Sequence, residues 1–113
     1  MFAQYEPRFK QPELLKADVA KEANPRAYLA KIFEGAITRW TDGEFHHEYD
    51  ESWPDFKQRV ETALQKLCDE LAQTKPRYAV VFTSGGVISV AVGKIMELSI
   101  NHTFALNWAI ANT

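Results

Sequence analysis

The chemistry this chain can offer is concentrated in one stretch, Tyr78-Ala79-Val80-Val81-Phe82-Thr83-Ser84-Gly85-Gly86-Val87-Ile88. A run of strand-forming residues ends at Ser84, two glycines make a turn, and apolar residues then recur at helical spacing from Val87 to Leu98. Such a turn aims several backbone N–H groups and the positive end of a helix dipole at one point, which makes it a natural anion site with phosphate as the expected guest. Gly85 and Gly86 also have a purely geometric use, since they permit a tight turn and close helix packing. Ser84 does not sit in a nucleophile elbow, because that motif needs glycine two residues to either side and Phe82 holds the upstream place. Nor is there a glycine-Lys-Ser/Thr run that would cradle a nucleoside triphosphate.

The remaining reactive residues carry less. His46-His47, between Glu44 and Glu48, has the composition of a metal site, but adjacent histidines on a short loop do not readily converge on one ion, and no metal is expected. Cys68 is the single cysteine, so it has no partner for an internal disulfide or a thiolate cluster and reads as a small core residue of a helix. Arg59 lies within a helical turn of Asp55 and near Glu51, where pairing would support the helix rather than a reaction. Trp40, Trp53 and Trp108 could stack on a ligand, but two of them lie on apolar helix faces or helix starts, where core or cap packing is their expected use.

The elements that must position the turn follow from periodicity. Residues 1–11 have no period and read as an irregular lead-in to a helix opening at Pro12. Leu14, Leu15 and Val19 give that helix its stripe, and Asn24-Pro25 ends it and caps a second one, whose Leu29, Ile32, Phe33, Ala36, Ile37 and Trp40 repeat every three or four residues. Thr41-Asp42-Gly43 closes the second helix and a charged surface loop is expected to Asp50. Ser52 then caps the longest helix, with Pro54 in its first turn, Asp55 near the positive end, and Phe56, Val60, Ala63, Leu64, Leu67 and Leu71 as its buried stripe. Lys75-Pro76 breaks it. Tyr78–Thr83 is expected as a strand covered on both faces, a short helix is expected at Thr103 to Leu106, and Ala109 to Thr113 reads as the start of another strand. A strand buried on both faces needs neighbours for its N–H and C=O groups, and no second strong strand is visible.

Bulk properties bound the function. The chain has 113 residues, 46% hydrophobic and 25% charged, which suits one globular domain rather than disorder. Thirteen basic and fifteen acidic residues leave a charge of −2, which argues against nucleic acid as a partner. The apolar runs are too short to span a bilayer, and the amino terminus has no basic and apolar leader, so a cytoplasmic setting away from membranes is expected.

Two linked stretches carry a family resemblance. Glu51-Ser52-Trp53-Pro54-Asp55-Phe56-Lys57-Gln58-Arg59-Val60, followed by Val80-Val81-Phe82-Thr83-Ser84-Gly85-Gly86-Val87-Ile88, resembles the second half of the histidine phosphatase (phosphoglycerate mutase-like) superfamily. Leu106-Asn107-Trp108 and Asn112-Thr113 look like a subgroup of it, and the resemblance runs from about Ile32 to Thr113. It implies an α/β architecture: a partial three-layer phosphoglycerate mutase-like fold, mostly helical here, with one central strand. Residues 1–113 would then form a single incomplete domain, with 1–50 a helical insertion or cap and 51–113 a helix-strand-turn-helix core.

The resemblance also implies phosphomonoester chemistry through a histidine in an Arg-His-Gly motif, which accepts the phosphoryl group before water removes it. That motif does not occur among these residues: none of His46, His47 and His102 follows an arginine or precedes a glycine. The family's second histidine falls on Ser84, whose hydroxyl can donate one hydrogen bond but carries no charge. Glu6 is the nearest candidate for the family's general acid. Ser84, Gly85 and Gly86 are thus the expected phosphate-binding residues, with a phosphorylated small molecule as the expected partner and no cofactor. The chain is expected to be inactive alone, its complete parent carrying the missing motif upstream. The rival reading is a non-catalytic binding or assembly module completed as a homo-oligomer, and it ranks below the missing-segment reading.

Overall fold

Helix signals in the first half act as their physics requires. The computed structural model describes residues 1–111. Two compact units divide it, Met1–Trp53 and a second from Pro54 onward. In the first, the lead-in is ordered as helix α1 (Phe2–Tyr5) and a 3-10 turn over Pro7–Lys10, both hidden from a periodicity argument by their shortness. Helix α2 spans Pro12–Lys21 with proline in its first turn, and α3 spans Pro25–Thr41. Asn24 caps α3 by accepting from the Ala27 amide at 3.1 Å. Phe9, Ala36 and Ile37 are buried, and the Tyr5 ring lies so close to Gly35 that an added Cβ would be 2.5 Å from it.

The expected loop after α3 is a 3-10 turn, Gly43–Glu48, started by the Asp42 carboxylate accepting from the Glu44 amide. Arg39 organises this turn. Its guanidinium donates to Glu48 and to the Tyr49 hydroxyl at 3.0 Å, and lies 4.1 Å from the centre of the Phe45 ring. Trp40 donates to the Glu51 carbonyl at 3.0 Å and meets Trp53 edge-on with ring centres 5.5 Å apart.

Helix α4 spans Trp53–Thr74, all but its first residue in the second unit, which also holds α5 (Gly85–Ile95) and α6 (Ile100–Ala111). Helices α5 and α6 pack on each other around Ser89, Val90, Gly93, Thr103 and Phe104, all buried. The closest approach is at Gly93, where an added Cβ would lie 2.5 Å from Thr103 Oγ1 and 3.3 Å from its Cβ. A Schellman motif turns the chain between them: the Leu98 amide donates to the Gly93 carbonyl at 2.9 Å and the Glu97 amide to Lys94 at 3.3 Å. Glu97 holds the left-handed position of that motif at φ 53°, a place that favours glycine.

The expected α/β fold is overturned. Among the described residues there is no β-strand: Tyr78–Thr83 is an exposed connection between α4 and α5 without regular secondary structure. The run has the right residues for a strand, but β-structure is closed by hydrogen bonds to a neighbour, and nothing in the described chain supplies one. The strand expected from Ala109 is also replaced, since α6 runs through Ala111; Asn112 and Thr113 lie outside the described residues. Helix α5 begins two residues before the expected Val87 and takes both glycines into its first turn. Cys68, expected as a core residue, is exposed.

Replacing Gly93 by alanine should gain about 1 kcal/mol of helix propensity and lose more to the collision with Thr103, as overpacking of a tight contact costs about 1–3 kcal/mol. The Gly93→Ala melt should fall, with Gly43→Ala, whose Cβ meets nothing within 4 Å, as the unaffected comparison; equal melting of the two would contradict the packing. Glu97→Gly should raise the melt slightly, by less than about 1 kcal/mol, because relief at the left-handed position exceeds glycine's entropy cost only narrowly.

Candidate functional site

The turn that opens α5 is built from backbone. Ser84 is the N-cap, extended at φ −82° and ψ 158°, and its hydroxyl makes no capping hydrogen bond. Its carbonyl accepts the Ile88 amide at 3.1 Å, which starts the helical ladder and leaves the Gly85, Gly86 and Val87 amides without acceptors inside the helix. Ser89, fully buried, donates to the Gly85 carbonyl at 2.8 Å and ties the first turn to the second. From the facing helix, Asn107 Oδ1 comes within 3.1 Å of the place a Gly85 Cβ would occupy, and Ile110 within 3.5 Å. The glycines therefore let α6 lie close against the start of α5.

This arrangement can do one thing chemically. Three amides, the helix dipole and an exposed serine hydroxyl can hold an anion without supplying a base, a nucleophile of raised reactivity or a full positive charge. Asn107 was not singled out in the sequence as a neighbour of the turn. The only trace of it there is its place in Leu106-Asn107-Trp108, because which residue of α6 meets Gly85 depends on how the two helices cross.

The other candidates stand elsewhere. Glu6 belongs to the first unit, where its carboxylate accepts from the Arg8 amide at 3.4 Å as the cap of the 3-10 turn. His46 and His47 lie in the 3-10 turn after α3, and among the described residues no group of three or more histidine, cysteine, aspartate or glutamate side chains could hold a metal ion. His102 Nδ1 is 3.1 Å from the Ser99 hydroxyl, which also accepts from the His102 amide, so the pair caps α6. A shallow open recess beside α3 is lined by Tyr5, Lys31, Thr38, Arg39 and Asp42. Arg39 is already committed there: its hydrogen bond to Glu48, then that to Tyr49, raises its pKa. Arg59 lies with its guanidinium 5.4 Å from the Phe56 ring. No helix of the described residues is long and apolar enough to cross a membrane.

The model of a family described as the histidine phosphatase superfamily (branch 1) matches residues 18–113, a span that begins at Asp18 rather than near Ile32. No curated protein and no solved structure matches the chain.

An added Cβ at Gly85 would meet the end of the longer Asn107 side chain at 3.1 Å, whereas at Gly93 it would meet the short, branched Thr103 at 2.5 Å from Oγ1 and 3.3 Å from Cβ. Gly85→Ala should therefore be absorbed by a small swing of Asn107 and change the melt by no more than about 0.5 kcal/mol; a loss as large as that of Gly93→Ala would mean that Asn107 is held rigidly against the turn.

Proposed function

The chain belongs to the histidine phosphatase superfamily, and from that premise we propose that these residues bind a phosphomonoester or inorganic phosphate at Ser84–Gly86 and do not themselves carry out phosphoryl transfer. The observation that carries the reading is the first turn of α5, where among the described residues the Ser84 hydroxyl makes no capping hydrogen bond and the first amides have no acceptor inside the helix. A phosphate placed there would accept from the Gly85, Gly86 and Val87 amides and from the serine hydroxyl.

Transfer needs more than a cradle. Within the 113 residues no histidine stands in an Arg-His-Gly setting, so the covalent route through a phosphohistidine has no acceptor here. Serine in place of the second histidine removes the charged donor that would stabilise the transferring oxygens, a kind of interaction worth a factor of about 100 to 1,000 in rate. Binding depends less on that charge than catalysis does, because the ground-state ester already satisfies the amides. The exposed thiol of Cys68 suits a reducing, cytoplasmic setting.

Titration of the 15N-labelled chain with inorganic phosphate should shift the Gly85, Gly86 and Val87 amides, saturating in the millimolar range expected of a few uncharged donors. Ser84→His should tighten that binding several-fold without producing turnover of p-nitrophenyl phosphate. Amides that stay still at the α5 turn would remove the binding reading, and turnover by the unmodified chain would remove the non-catalytic one.

A further inference from the structure

The buried hydroxyls between α5 and α6 are already engaged. Ser89 donates to the Gly85 carbonyl at 2.8 Å and Thr103 to the Ser99 carbonyl at 3.0 Å. Asn107 is half-buried in the same packing, yet its carboxamide makes no hydrogen bond among the described residues. A carboxamide drawn partly out of water without a partner costs free energy that an apolar side chain of the same size would not. Its Oδ1 stands 3.1 Å from the place of a Gly85 Cβ and 4.0 Å from that of a Gly86 Cβ, at the end of α5 whose first amides have no acceptor inside the helix.

We propose that Asn107 is a ligand-binding residue of this turn, whose carboxamide turns over as phosphate binds and donates Nδ2–H to it. The inference rests on the phosphate reading of Ser84–Gly86 and adds to that site a donor from the second helix.

Electrostatics gives each orientation its reason. The amide oxygen carries partial negative charge, and the start of α5 is the positive end of that helix, so the oxygen faces the turn in the structure. A phosphate held by the Gly85, Gly86 and Val87 amides brings negative charge to the same place, where an amide oxygen is repelled and an amide N–H attracted. The exchange asks for little movement. The last torsion of an asparagine side chain is broad and roughly two-fold, and its oxygen and NH2 ends are nearly equal in size, so a half-turn preserves the packing against Gly85. Glycine at that position leaves the space for it, since a Cβ would stand 3.1 Å from the atom that moves. The residue type fits the role as well. Leucine would match the volume without a polar group and aspartate would be a fixed acceptor, whereas the carboxamide offers an acceptor and two donors.

The experiment uses the full 15N-labelled chain and inorganic phosphate. The side-chain NH2 pair of Asn107 should shift with the same midpoint as the Gly85, Gly86 and Val87 amides, while that of Asn101, exposed in the first turn of α6, stays still. Asn107→Leu should fold as the unmodified chain does and bind phosphate about tenfold more weakly, the low end of what one hydrogen bond to a charged group contributes. Asn107→Asp, a fixed acceptor, should bind more weakly again. Turn amides that shift beside an unmoved Asn107 pair, or unmodified affinity in either variant, would overturn the role of Asn107 and leave the phosphate reading standing. Turn amides that stay still in the unmodified chain would remove the phosphate reading, and the role of Asn107 with it. Where Asn107→Leu does not fold, the Asn107 pair of the unmodified chain decides alone.

Discussion

Every peptide group in this chain has to find a hydrogen bond, and a helix is the element that finds it within its own sequence. That constraint divides the molecule. Among the described residues, six helices and two 3-10 turns satisfy themselves and need partners only for their apolar stripes. The segment from Pro76 to Thr83 cannot do so, since proline ends α4 and the following valines and aromatics favour an extended backbone whose bonds lie sideways, toward a neighbour. With no strand beside it among the described residues, the most strand-like part of the sequence is the least structured part of the second unit.

What remains ordered after that connection is held by close packing. Gly93 lets α6 approach α5 until the Thr103 side chain stands where a Cβ would lie, and the Schellman turn through Glu97 sets the direction of return. Both features lie at the far end of α5 from Ser84, yet they determine that Asn107 and Ile110 arrive at Gly85. The shape of the turn proposed as an anion cradle is therefore a consequence of the helix pair as much as of its own glycines. Its donors are uncharged, which is why membership of the superfamily leads here to a binding proposal: amides without acceptors inside the helix stand at the turn, and no histidine in an Arg-His-Gly setting is among these residues.

The first unit shows a different economy of charge. Arg39 serves Glu48, Tyr49 and Phe45 at once, holding the 3-10 turn against α3, while Arg8 reaches Asp18 on α2 at 3.4 Å. These cations are spent on local structure. The histidines of the same unit, His46 and His47, sit in the turn that Arg39 secures.

The amino-acid sequence by itself determined the elements that are locally encoded. Asn24-Pro25 opens α3, Ser52-Trp53-Pro54 opens α4, Lys75-Pro76 ends it, and Ser84-Gly85-Gly86 opens α5, because caps, prolines and glycine turns act within a few residues of themselves. It also carried the family, through two motifs at the right separation. Tertiary structure alone decided whether Tyr78–Thr83 became a strand, which of α6's residues stands at the turn, and that Ala109 to Ala111 continues a helix. Each of those depends on a group distant in the chain or absent from it, and β-propensity describes only what a residue would do if that group were there.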